Sequence, residues 1–302
     1  MSEGPLKPDD LETTARALEA TGNYRVLRRL VRHVEFCPDA ATPKKTAVIL
    51  DVETTGLDPL SDEIIELGML KFTFSADGRI YKVVDAFEAL REPTIGISEE
   101  ITRLTGITKD MVVGKTIEPQ QIAAFIDDAV LIIAHNAAFD RPFCERLHGG
   151  FATKHWACSN KEVDWYSRGH AGSKLTYLLT DYGLFHNAHR AIDDCYALAE
   201  ILSRSLTESP APPMAQLLDS ARASTVRIFA EGAPFDQKDT LKARGYRWAV
   251  GATGPAKVWQ IEVSESQAEA ELTFLRKSSY ANDGATIPTK RLTSLDRYSK
   301  RD

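Results

Sequence analysis

The spacing of apolar residues divides this chain into elements. Four of them, Ala47-Val48-Ile49-Leu50, run directly into Asp51 and Glu53 and then into the turn residues Thr55-Gly56. A short apolar run bounded by a turn predicts a buried strand. Strand side chains alternate faces, so Asp51 and Glu53 point one way and Val52 the other. Residues 63–72 and 80–87 predict two further strands joined by a hairpin turn at 76–79. Ser98 is placed to cap a short helix that Gly106 ends. Ile122, Phe125 and Ile126 stripe a helix over 118–128, and the apolar run 129–134 predicts a buried strand. The intervening helix makes that strand a crossover partner, parallel to its neighbour.

Helical spacing also fills 11–34, broken at Thr21-Gly22-Asn23, with Arg25, Arg28, Arg29 and Arg32 crowding the second half as a solvated face or a phosphate contact. Helices are expected at 159–166 and 174–182. Ala191, Cys195, Leu198 and Leu202 then mark one buried helix face. The stretch 208–213 reads as a Pro-rich linker, and Gln216-Leu217-Leu218-Asp219 as a linker helix. Beyond it, strands at 226–230 and 257–263 and helices at 237–243 and 264–275 describe a small α+β unit. Its Tyr246, Trp248 and Trp259, interleaved with Lys242, Arg244 and Arg247, read as core more readily than as a base-stacking surface. From Lys277 the chain is polar and basic, which predicts a mobile tail able to touch nucleic acid. The resulting division is an N-terminal helical arm (1–43), a main α/β domain (44–206), a linker (207–223), a small accessory domain (224–276) and a basic flexible tail (277–302).

With 43% hydrophobic and 26% charged residues the chain has the composition of a folded globular protein. No apolar run is long enough to cross a bilayer, so no membrane partner is expected. The four cysteines form no CxxC pair, which disfavours a zinc knuckle or a disulfide framework and suits a reducing, cytoplasmic setting. A net charge of −6 neither suggests nor excludes nucleic acid, because a local basic surface matters more than the sum.

Chemistry concentrates at three places. Asp51 and Glu53, side by side at the end of a buried strand, repel each other and resist desolvation, penalties that a hard cation such as Mg²⁺ or Mn²⁺ removes. The alternative is an ordinary strand end in water. Asp140 sits where the strand 129–134 hands over to a helix, as a site residue or as the cap of a helix over 141–147. Asp194 lies beside the buried face of the last helix and needs a partner. His189 is five positions earlier, off that face, so it belongs to the loop before the helix.

These stations stand in motifs. Asp51-Val52-Glu53-Thr54-Thr55-Gly56, His135-Asn136-Ala137-Ala138-Phe139-Asp140 and His189-Arg190-Ala191-Ile192-Asp193-Asp194, with the segment 101–108 between the first two, resemble the DnaQ-like 3′–5′ exonucleases of the DEDDh type. The resemblance covers roughly 44–206 and leaves the C-terminal unit outside. It implies an RNase H-like mixed sheet flanked by helices. It further implies two Mg²⁺ or Mn²⁺ ions held by Asp51, Glu53, Asp140 and Asp194, with His189 as general base. Thr54, Thr55, Leu57, Leu104, Thr105 and Asn136 are the implied substrate contacts, and Asp193 is read as a surface acid. The expected activity is removal of nucleoside 5′-monophosphates from single-stranded DNA 3′ ends, with a DNA polymerase or another replication or repair protein as a possible partner. An RNase T-like or oligoribonuclease-like exoribonuclease and a non-catalytic nucleic-acid adaptor stay open as alternatives.

Overall fold

The computed structural model describes residues 8–204, 211–251, 254–282 and 284–301. In chain order, α1 (Pro8–Ala20) and a two-residue β1 (Arg28–Arg29) precede the long strands β2 (Lys44–Thr54), β3 (Ile64–Ser75) and β4 (Ile80–Leu90). Then come α2 (Glu99–Thr105), α3 (Lys109–Val112), α4 (Pro119–Ile126), β5 (Ala129–Ala134), α5 (Ala137–Leu147), β6 (Trp156–Cys158) and α6 (Ser159–Glu162). They are followed by α7 (Leu175–Asp181), β7 (Leu184–Phe185), α8 (Ala191–Ser203) and α9 (Pro213–Arg222). The C-terminal unit holds β8 (Thr225–Ala230), α10 (Lys238–Ala243), β9 (Arg247–Gly251), β10 (Gly254–Ser264), α11 (Ala268–Phe274) and β11 (Thr289–Leu292).

The main sheet runs β4-β3-β2-β5-β6. The first three strands form the antiparallel meander that the two apolar runs and the hairpin turn predict, and β5 and β6 add in parallel. Helices lie on both faces, so the mixed α/β sheet is as expected. Alternation along β2 decides where the chemistry falls. Val48, Leu50 and Val52 join the core against α4 and α5. Ala47 and Ile49 join the core against α7, α8 and α9. Asp51 and Glu53 continue this second row and therefore face α8.

That approach of α8 depends on Gly68 of β3, the cross-strand partner of Asp51. A Cβ there would lie 2.5 Å from the backbone of Ala191 and Ile192, so only glycine lets the start of the helix sit this low on the sheet. Ala191, Cys195, Leu198 and Leu202 are all buried on it, as their spacing predicts.

Several expectations fail for tertiary reasons. Residues 24–34 are not helical. The Arg28 and Leu30 amides donate to Gly183 and Phe185, tying this stretch to β7 as an edge strand. Its arginines have internal partners: Arg28 pairs with Glu12 and Glu19, Arg32 with Asp193, Arg25 donates to the Thr180 carbonyl, and Arg29 donates to Asn187 Oδ1. Phosphate contact through them is therefore not supported, and Asp193 is a half-buried ion-pair partner rather than a free surface acid. The helix expected over 159–166 stops at Glu162.

Residues 207–210 of the expected linker, like residues 1–7, lie outside the described residues. The rest of that linker is no loose connection, because α9 buries Met214, Leu217 and Leu218 against the main core. The C-terminal segment is not a flexible tail either. Thr289–Leu292 pairs antiparallel with β8. Arg141 of α5, fully buried, donates to the carbonyls of Leu295 and Arg297 at 2.6 Å each. Arg297 in turn donates to the Ser220 and Ala223 carbonyls, and the Tyr298 hydroxyl to Glu162. Hydrogen bonds of this kind do not need an apolar pattern, which is why a polar sequence conceals an ordered segment. The small unit's aromatics divide: Tyr246 is core, whereas Trp248 stands exposed and edge-on to Trp259.

Candidate active site

At the carboxyl ends of β2 and β5 a cleft of about 680 Å³ opens. Asp51, Glu53, Asp140, Asp194 and His189 all line it, as do Thr54, Thr55, Leu57, Leu104, Thr105 and Asn136. Carboxylate oxygens of Asp51, Glu53 and Asp194 lie within 4.8 Å of one another. Asp140 is buried in the first turn of α5, which begins at Ala137 rather than Arg141, so it is not the helix cap. It lies outside the tight group of three but shares their cleft.

The electrostatics follow from that crowding. Burial, reinforced by the charges of Asp194, Asp140, Glu53 and Glu66, pushes the Asp51 carboxyl well above its ordinary range. Burial and the neighbouring charges of Asp194, Glu66 and Asp140 raise Glu53 to about 8, against a small opposing pull from Arg190. Asp140 is raised to about 7 by burial, with the Val52 amide and its own amide partly offsetting this. Arg190 relieves them little, because it is engaged elsewhere: it donates to Glu66 at 2.8 Å and also reaches Glu88. Glu66 also accepts from the Ala191 amide, so this pair fixes the start of α8.

Carboxylates crowded in this way, all offering oxygen, are the donor set of a hard divalent cation. Asp51, Glu53 and Asp194 fit such an ion by their spacing, and Asp140 fits as a further ligand by its place in the cleft.

His189 adopts φ +63°, a left-handed conformation outside glycine, on the loop just before α8. His186 was not picked out by pattern, yet its Nε2 meets Asp194 Oδ1 at 2.9 Å while the Arg190 amide donates to Oδ2 at 3.1 Å. Both oxygens of Asp194 are thereby oriented. His135 faces the Ser173 carbonyl at 2.6 Å with Nε2, which must carry a proton, and its Nδ1 lies 2.8 Å from the Ser159 hydroxyl. Burial depresses its basicity, and it acts as a brace for the end of β5.

The implied substrate residues divide in the same way. Leu57 and Leu104 are exposed at the rim. The hydroxyls of Thr54, Thr55 and Thr105 are committed to the Gly56 carbonyl, Asp62 and the Ile101 carbonyl, so they shape the loops instead of offering free donors. Asn136 makes no side-chain cap bond to α5.

Comparison with known proteins adds to this geometry. A family model described as exonuclease, RNase_T, matches residues 48–202, just over half the chain. The chain is 36% identical over 165 residues to a DNA polymerase III of PolC type from Clostridium perfringens, covering 52% of this chain and 11% of that protein. A PolC-type polymerase from Thermotoga maritima is 34% identical over 183 residues, covering 55% of this chain and 12% of that protein. The chain thus spans about an eighth of the length of these relatives or less. Among solved structures, a complex of E. coli exonuclease I with single-stranded DNA superimposes with a TM-score of 0.49 at 16% identity, covering 83% of this chain and 64% of that one.

Proposed function

The chain belongs to the DnaQ-like 3′–5′ exonuclease family, and on that premise we propose that it trims single-stranded DNA from the 3′ end and releases nucleoside 5′-monophosphates. The observation that carries this reading is the convergence of Asp51, Glu53 and Asp194, with Asp140 in the same cleft and His189 on its loop. Divalent ions held by these four acids would supply positive charge to the phosphoryl oxygens and acidify a bound water.

The chain's own residues then have distinct tasks. His189, on the loop at the cleft, accepts the proton of the attacking water. The left-handed turn at His189 keeps the ring off the α8 face and directed to the cleft. His186 and the Arg190 amide hold the Asp194 carboxylate in one orientation. Leu57 and Leu104 pack against the terminal bases, and the loop 54–57 presents backbone to the terminal nucleotide. Similarity to a segment of PolC-type DNA polymerases favours DNA over RNA and suggests a role beside a replicative or repair polymerase.

The test is hydrolysis of matched single-stranded DNA and RNA oligonucleotides carrying a 5′ label, with and without Mg²⁺. The expected result is a ladder shortening from the 3′ end, faster on DNA. His189→Ala should lower the rate by about 100-fold or more while retaining metal binding. Full activity of His189→Ala across neutral pH would show that another group takes the proton.

A further inference from the structure

A second cleft, of about 810 Å³, lies between the C-terminal sheet and the catalytic unit. That sheet, ordered β11-β8-β10-β9, is two-faced. Val226, Ile228, Ala230, Ile261 and Val263 join the apolar core closed by Leu241, Leu272 and Leu275. The opposite face carries charged and polar side chains beside Phe229 and Ala249. Cross-strand register pairs Arg227 with Glu262 and Arg247 with Gln260, and all four line the cleft. The facing wall is Ala138 of α5 and Lys161 of α6, and Lys300 closes one side.

Its charge is one-sided. Among the described residues, Glu262 is the sole acid lining the cleft, and Arg227 pairs with it at 3.2 Å. Arg297 is buried and holds backbone carbonyls. Lys161, Arg247 and Lys300 are exposed, and none has a carboxylate partner among the described residues. The two clefts draw lining residues from one turn of chain at the start of α5. Ala138 stands between Ala137 and Phe139 in the first turn of α5, and Asn136 and Phe139 line the catalytic cleft. On the other side, Asp58 next to Leu57 is held below its usual range by the Leu60 amide, then by the Ser61 hydroxyl, and only after these by the charge of Lys300.

We propose that the single strand whose 3′ end enters the catalytic cleft runs on across this groove, its sugar–phosphate backbone held by Lys161, Arg247 and Lys300. The assignment of the 3′ end rests on the exonuclease reading; the groove's affinity for a polyanion does not. The C-terminal sheet is then a guide rail that recognises backbone charge without reading sequence.

Binding read without hydrolysis separates the two. Fluorescence anisotropy in a metal chelator would compare a single strand of about 20 nucleotides with one of about 4, too short to leave the catalytic cleft. The wild type should bind the long strand more tightly. The triple variant Lys161→Ala, Arg247→Ala, Lys300→Ala should bind the long strand roughly tenfold more weakly. Its slope of log affinity against log salt should be shallower by about 2, three contacts at about 0.7 each. The charge-retaining variant Lys161→Arg, Arg247→Lys, Lys300→Arg should recover both, which a folding defect would not. Equal affinity for the two lengths, or an unchanged affinity and salt slope in the alanine variant, would overturn the groove. Tight, salt-dependent binding of the long strand with no Mg²⁺-dependent hydrolysis would instead overturn the exonuclease reading and leave the groove standing.

Discussion

Asp51, Glu53 and Asp140 are held protonated longer than free carboxylates, and this gives a linkage with a definite sign. An unfolded carboxyl ionises at about pH 4. Folded, Glu53 is raised to about 8 and Asp140 to about 7. Between those limits the folded metal-free chain keeps protons that the unfolded chain has lost, so its stability falls as pH rises. Divalent cations compete with those protons. Melting in chelator and in excess Mn²⁺ should therefore show a small metal-induced rise near about pH 5 and a larger one near about pH 8. An equal rise at both would contradict the burial of these acids. His186 offers a second check at this scale. It orients a proposed ligand, so His186→Ala should cost on the order of 10- to 100-fold in metal affinity, measured by titration. Full retention would reduce the 2.9 Å contact to packing. Strand alternation put Asp51 and Glu53 on one side and helix spacing put Asp194 beside a buried face, but their grouping with Asp140 came only from the resemblance of the three motifs. His186 was not, since it lies in a loop without periodicity and its partner is visible only once α8 is placed.

Among elements, the seating of α8 on β3 decides whether Asp194 reaches Asp51. Gly68→Ala forces a Cβ onto backbone atoms of Ala191 and Ile192 that cannot rotate away, so the start of the helix must lift. Overpacking of this kind costs about 1–3 kcal/mol. Activity should fall further than stability does, because the same shift displaces Asp194. Thermal melting beside a rate assay checks this, and a variant with wild-type rate would mean the helix tolerates the lift. The helices and strands of the sheet were readable from periodicity. Residues 24–34 were not, because their hydrogen bonds to Gly183 and Phe185 override helical spacing.

For the whole molecule, we propose 44–206 as the catalytic unit and 224–276 as the accessory unit that steers the strand into it. The segment after it is a latch. Arg141, next to Asp140, donates to three carbonyls between Ser294 and Arg297 and pairs with Glu145. Arg141→Met removes the donor to the buried Arg297 carbonyl, while Ser294 keeps the Trp156 amide and Leu295 and Glu145 keep Arg301, and should cost about 1–3 kcal/mol. Urea unfolding would measure the loss, and faster proteolysis within 293–301 should accompany it. An unchanged midpoint would mean that the latch adds no stability. Contacts across some 150 residues leave no local pattern, which is why basic, polar residues such as Arg297 and Lys300 suggested a tail.

The proposed chemistry stands or falls on acids distant in sequence converging to hold divalent ions. Anomalous scattering from crystals soaked in Mn²⁺ measures this directly. Two peaks are expected among Asp51, Glu53, Asp140 and Asp194, both lost in Asp51→Asn. A saturated crystal with no density between those side chains would contradict the convergence.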